Sequence, residues 1–256
     1  LLCLVTVLVI LLPKILTAFI RTPSIVKLIL LSTIIAGFLI RLYWVPNIHR
    51  IYYDEDRYLS YAVSFLKFGK ATSLDFATQE KLIIGYPDKA GRMTVPMIHA
   101  TILKLFDPSE ENLFKTAKVF NTLLIPAVFA LGFLISSRYF VGLFSAFLVA
   151  FLPNMVYWSV STNLDGYFIL FCTVTSAFAI LAARKQELLS ILGLVSSIIL
   201  LLGVRIEAYA FLPIILGFYW IEGKKRRQTA WNRKDLIIWL TIVIFVVLRG
   251  LLSLSV

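Results

Sequence analysis

The sequence predicts an all-α fold, a polytopic transmembrane helical bundle, and three observations predict it. Of 256 residues, 60% are hydrophobic and only 15% charged, with a mean hydropathy of +0.89; a globular chain is roughly 45 to 50% apolar and about 25% charged. Near-unbroken apolar runs recur at about 1–20, 28–46, 119–137, 139–160, 164–183, 188–204, 206–221 and 236–254, each approaching the ~20 residues of a spanning helix. None of these runs carries the period-two polar alternation of a barrel strand, and a helix satisfies its own backbone polar groups, as hydrocarbon requires. The expectation is about eight spans in a single module over 1–256.

The elements follow in order. The run 1–20 has no basic region before it and no small-residue cleavage site after it, so an anchor helix is expected rather than a signal peptide. The chain starts at Leu1 without Met and stops at Val256 in or just past an apolar run, as a piece of a longer protein would. The run 28–46 carries Arg41, a candidate for snorkelling to headgroups. The interval 47–116 is the long polar one and holds nine Lys or Arg and nine Asp or Glu, so none of the net charge of +11 resides there. That charge sits largely in short clusters instead: Arg21 and Lys27, Arg138, Arg184 and Lys185, and Lys224 to Lys234. They fall on every second connection, as the positive-inside rule demands of cytoplasmic ends, which puts 47–116, Thr162 and Arg205 on the extracytoplasmic face. The charge is thereby explained by orientation, with binding to anionic membrane lipids as a second use, and no nucleic-acid partner is expected. Cys3 and Cys172 lie within apolar runs and read as packing residues. Pro126, Pro153 and Pro213 mark candidate kinks, and Tyr43, Trp44, Tyr52, Tyr53, Tyr157, Trp158 and Tyr209 fall where an aromatic belt would.

Nine of the 14 acids gather in 47–116 rather than at mid-membrane depth, which favours chemistry at the surface over transport. The segment Asp54-Glu55-Asp56-Arg57-Tyr58 opens it. Helical spacing through Tyr58, Tyr61, Ala62, Phe65 and Leu66 predicts an amphipathic interfacial helix with the acids at its start. Such acids can cap a solvated helix and gain from its macrodipole. Alternatively, adjacent carboxylates near the lipid surface can divide the roles of general base and orienting group.

The string Asp-Glu-Asp-Arg-Tyr, with its small and aromatic helix face ending at Gly69, resembles the first extracytoplasmic loop of the GT-C superfamily of polyprenyl-phosphate-sugar-dependent glycosyltransferases. The branch with protein O-mannosyltransferases and the aminoarabinose transferase of lipid A is the most similar. Val95-Pro96-Met97-Ile98-His99, Lys118-Val119-Phe120-Asn121, Pro153, Asn163-Leu164-Asp165-Gly166, Arg205-Ile206-Glu207 and Pro213 continue the likeness in order over about 30–256. A Lys-Pro-Pro element of some members is replaced by Gly91-Arg92-Met93-Thr94-Val95-Pro96, so acceptor and donor specificity are not implied.

The resemblance implies transfer of a sugar from a polyprenyl-phosphate donor to a lipid or protein acceptor on the extracytoplasmic side of a cell or endoplasmic-reticulum membrane, with inversion. It assigns Asp54 as base and Glu55 as its partner. Substrate-binding candidates are Arg57, Tyr58, Arg92, Asp165, Arg205 and Glu207, the arginines for their bidentate fit to phosphate. Arg205 has a second reading as a salt bridge to Glu207 or a snorkelling flank, and Asp165 as a helix cap. No cofactor is expected: His49 and His99 lack neighbours at metal-ligand spacing, although Asp54-Glu55-Asp56 matches the Asp-x-Asp pattern by which some members hold a divalent cation. A transporter or flippase, a non-catalytic partner in a glycosylation complex, and an oligosaccharyltransferase-like member remain as alternatives.

Overall fold

The computed structural model describes residues 22–50, 52–68, 93–106, 109–205 and 207–226, and every regular element among them is helical. The predicted spans 1–20 and 236–254, together with Arg92, lie outside the described residues. The helices are α1 (Ser24–Tyr43), α2 (Tyr52–Phe68), α3 (Thr94–Leu105), α4 (Glu110–Ser136), α5 (Tyr139–Phe151), α6 (Pro153–Tyr157) with a 3-10 turn at Trp158–Val160, α7 (Leu164–Lys185), α8 (Leu188–Leu202) and α9 (Ala208–Arg226).

Local chemistry sets the boundaries. α4 starts well before its apolar run because the Ser109 hydroxyl accepts from the Asn112 amide (3.4 Å) and Glu110 and Glu111 occupy the first turn, where the positive end of the helix dipole favours acids. α4 and α7 both end on a left-handed residue, Ser137 (φ 56°) and Gln186 (φ 52°), whose amides bond back to Phe133 and Ala182. The apolar run 139–160 is one span in the sequence but two helices in space. Pro153 has no N–H to continue the ladder, so α5 stops at Phe151 and the chain turns by 56° into α6.

α1, α4 and α7 are long and apolar enough to cross a membrane, and the bent pair α5 with α6 and its 3-10 turn makes up to four. α8 has 15 residues, about 22 Å at ~1.5 Å per residue, short of the ~30 Å hydrocarbon layer. The apolar part of α9, Ala208–Gly223, is also shorter. Of the expected eight spans, then, three to four meet the length criterion among the described residues, which is compatible with a membrane protein.

α7 is the hub, packed against α4, α8 and α9. Its Tyr167, Phe178 and Ala179 share a core with Leu194, Leu201 and Leu212. Gly193 admits the Phe178 ring: a Cβ there would lie 2.3 Å from it. A second cluster, Leu30, Ile125, Ala146 and Ala150, joins α1, α4 and α5. The opposite faces of α1 and α5 leave Leu28, Leu31, Phe140 and Phe144 exposed, as a lipid-facing surface would.

Arg41 does not snorkel. It is 1% exposed, and its guanidinium donates to the carbonyls of Gly37 (2.9 Å), Ala150 (3.1 Å) and Val149 (2.7 Å). The Val149 carbonyl is the one that the missing N–H of Pro153 would have satisfied in a continuous helix. Lys118, also buried, caps α1 in the same manner, donating to Val45 (2.7 Å) and Leu42 (3.4 Å).

Candidate functional site

Three distant stretches of sequence meet at one end of the bundle: the α1–α2 junction with the first turns of α2, the 3-10 turn leading into α7, and the α8–α9 turn. The other end carries the Arg184–Glu222 pair between α7 and α9 (2.9 Å).

Glu55 anchors the first stretch. Its carboxylate is fully buried, and it accepts from His49 Nδ1 (2.7 Å), from the Arg50 amide (3.1 Å) and, on its other oxygen, from the Ser161 hydroxyl in a short bond. A buried carboxylate is tolerable only with its lone pairs occupied in this way. Glu55 thus fixes the first turn of α2, the turn that bears Asp54, to both the α1–α2 junction and the α7 approach. The Asp54 side chain itself lies outside the described residues.

Ser161 passes the connection on. Its hydroxyl also accepts from the Asn163 amide (3.3 Å), Asn163 Oδ1 caps α7 through the Leu164 amide (2.6 Å), and Asn163 Nδ2 donates to Asp165 (3.0 Å). Asp165 then receives Arg205 Nη1 in a short ion pair, and Arg205 Nε lies 3.8 Å from Glu207. Asp165 is therefore not the α7 cap; Asn163 is, and Asp165 is the acid that holds Arg205. The salt bridge expected between Arg205 and Glu207 exists as the longer of the two contacts. Gly166 lets this turn close onto α4, since a Cβ there would meet Asn121 Nδ2 at 2.6 Å.

Exposure divides the network. Glu55 is sealed, whereas Asp165 and Arg205 are 48% and 30% exposed in their side chains and stand where a ligand can reach them. Arg57 donates to the Tyr61 hydroxyl (2.6 Å). Tyr58, expected to face substrate, is instead buried in the main core, edge-on to Tyr61. Of the predicted helical face, Tyr58, Tyr61 and Ala62 are buried, and Leu66 is exposed.

Two histidines set aside in the sequence have defined places. His49 holds Glu55 and lies within 3.9 Å of Asp56 and 3.8 Å of Glu110, edge-on to Phe114. His99, on α3, is fully buried with Nε2 2.9 Å from the Tyr167 hydroxyl, and burial pushes its pKa down to about 4. α3 is itself pinned beside the α8–α9 turn, with the Thr94 amide on Gly203 O (2.9 Å) and its hydroxyl on Leu200 O (3.0 Å). Ser161 and Arg50 were not legible as site residues: a lone Ser or Arg at the end of a span carries no motif. Asn163 had a signal, a cap residue directly before a helical run.

Among the described residues no group of His, Cys, Asp and Glu is arranged to hold a metal ion. No protein-family model matches the chain, and neither a curated protein nor a solved structure matches it.

Proposed function

We propose that the chain is a multi-pass membrane glycosyltransferase of GT-C type, moving a sugar from a polyprenyl-phosphate donor to a lipid or protein acceptor on the extracytoplasmic side. The observation that carries the reading is the continuous polar path from Glu55 through Ser161, Asn163 and Asp165 to Arg205. It ties the acid-rich start of α2 to an accessible guanidinium from 150 residues further along the chain. Those are the two chemistries that the reaction needs, a base for the acceptor and a cation for the leaving phosphate.

In this mechanism Asp54 takes the proton of the acceptor hydroxyl as its oxygen attacks the anomeric carbon. The bond from that carbon to the phosphate oxygen breaks, the electron pair leaves with the phosphate, and attack from the opposite face inverts the centre. Arg205, oriented by Asp165 and Glu207, together with Arg57 of α2 and Arg92, stabilises the departing charge. Glu55 is a positioning residue: sealed from solvent, it holds the turn that presents Asp54. The basic connections at the other end set the cytoplasmic side.

The test compares sugar transfer from labelled polyprenyl-phosphate sugars by membranes carrying the full chain or its Asp54→Asn variant at equal expression. Loss of the base is expected to lower transfer by about 10²- to 10⁴-fold. Equal rates would remove Asp54 from the mechanism, and no transfer across a broad donor panel would overturn the enzyme reading.

A further inference from the structure

Among the described residues at this end, Arg50 is a cation that the site leaves unused. Arg41, Arg57, Arg184 and Arg205 each donate to a protein oxygen. Arg50 uses only its backbone amide, on Glu55. Its Nε is buried and has no hydrogen-bond partner, and no carboxylate among the described residues pairs with its guanidinium. Burying donors of a charged group without an acceptor costs several kcal/mol in general. The side chain is nonetheless held in place, with its guanidinium carbon 3.9 Å from the centroid of the Tyr157 ring. Stacking of this kind fixes the plane of the fork and leaves its N–H edge available.

The surroundings select what comes to that edge. Lys118 lies close enough for its charge and that of Arg50 to repel, and the Lys118 ammonium is committed to the carbonyls of Val45 and Leu42, while the nearby Glu55 carboxylate is taken up by His49, the Arg50 amide and Ser161. The neighbouring surface is not that of a soluble-anion site. The end of α1 packs against α6, and together they expose Tyr43 (75%), Trp44 (78%), Tyr157 (50%) and Trp158 (40%). Aromatic side chains in this density suit the level where headgroups meet acyl chains.

We propose that Arg50, on its Tyr157 platform, binds the phosphate of a membrane lipid whose hydrocarbon lies along the aromatic rim formed by Tyr43, Trp44 and Trp158. A tetrahedral phosphate accepts two N–H bonds from the two terminal nitrogens, the edge away from the buried Nε, which neutralises the guanidinium without disturbing the Glu55 anchor beside it. The phosphate reaches this edge either on a bilayer phospholipid or on a prenyl chain. The site stands whether or not the chain transfers sugar.

The experiment is native mass spectrometry of the full chain in a non-ionic detergent, titrated separately with phosphatidylglycerol, farnesyl phosphate, and their phosphate-free counterparts dioleoylglycerol and farnesol. The chain is expected to bind at least one phosphate-bearing lipid and neither counterpart, and whichever phosphate lipid binds more tightly names the source. Arg50→Ala is expected to weaken that binding by about tenfold to a hundredfold, the loss of a charge-assisted pair. Arg50→Lys, which keeps the charge without the fork, should fall between. Tyr157→Leu keeps the guanidinium and removes its platform, so it tests the site if the Arg50 variants do not fold; a several-fold loss is expected. Arg138→Ala, at the opposite end, should bind as the parent does. Equal binding by parent, Arg50→Ala and Tyr157→Leu overturns the site. Equal binding of the phosphate-free counterparts, or displacement of the lipid by inorganic phosphate at the same concentration, overturns a lipid-borne phosphate as the ligand.

Discussion

Replacing Glu55 separates an anchoring carboxylate from a dispensable one. Its oxygens accept from His49, from the Arg50 amide and from Ser161 in a fully buried setting. Glu55→Gln can retain all three in number. The amide oxygen takes the two N–H donors on one side, and its NH₂ donates to the Ser161 hydroxyl, which reverses its role. Only charge assistance is lost, and with charged hydrogen bonds at ~1.5 to 3 kcal/mol against ~1 for neutral ones, the expected cost is about 1 to 3 kcal/mol. Glu55→Ala leaves the Arg50 amide and the His49 ring without an acceptor and opens a hole beside them, so about 3 to 5 kcal/mol is expected. Thermal unfolding of the full chain in one detergent, with both variants beside the parent, reads the order: parent, then Gln slightly below, then Ala far below. If Ala matched Gln, the hydrogen bonds would not be what holds this turn. If both matched the parent, the polar path would have no structural weight.

Two further outcomes follow from buried cationic and titratable groups. Arg41→Met fills similar space but cannot donate, leaving the Val149 and Ala150 carbonyls bare at the α5–α6 break; a loss of about 2 to 5 kcal/mol in the same melt is expected. His99, outside the candidate spans, is held neutral with its pKa near 4 against an ordinary 6.5. The unfolded chain therefore binds the extra proton between those values, so this stability is complete above about pH 6.5 and lost progressively as pH falls to about 4, by roughly 3 kcal/mol. His99→Gln should flatten that slope relative to the parent, and parallel slopes would refute the assignment.

The helices were largely legible because apolar runs of span length leave few alternatives. The runs 28–46, 119–137 and 164–183 correspond to α1, α4 and α7. α4 starts early because Ser109 with Glu110 and Glu111 begins it, and the run at 139–160 breaks because Pro153 cannot donate. The site was half legible. Asp165, Arg205 and Glu207 stand out as charged groups at the ends of apolar runs, and they do come together. Ser161 and Arg50 gave no such signal, since their roles depend on Glu55 arriving from another helix and on Tyr157 lying beneath a guanidinium. Tyr58 was misplaced for the opposite reason: an aromatic at helical spacing marks a packed face as readily as a ligand-facing one, and here the face is packed.

The disposition of cations sharpens which of them can meet a ligand. Arg41 and Lys118 each spend their charge on carbonyls where a helix ends, the α5 break and the end of α1, where the negative end of a helix dipole receives a cation. The terminal nitrogens of Arg41 and the ammonium of Lys118 are bonded to those carbonyls, which removes them from chemistry. Arg205 and Arg50 follow a different rule. Arg205 is partly exposed and held by partly exposed acids, and Arg50 is held by an aromatic face with a donor unfilled. Both flank the sealed Glu55, which touches the Arg50 amide directly and reaches Arg205 through Ser161, Asn163 and Asp165. Glu55 is withheld from both guanidinium groups: it fixes the Arg50 backbone directly and reaches Arg205 only through Asp165, the acid that pairs with it. That leaves the Arg50 fork without a protein anion, a cost that an anionic ligand offsets.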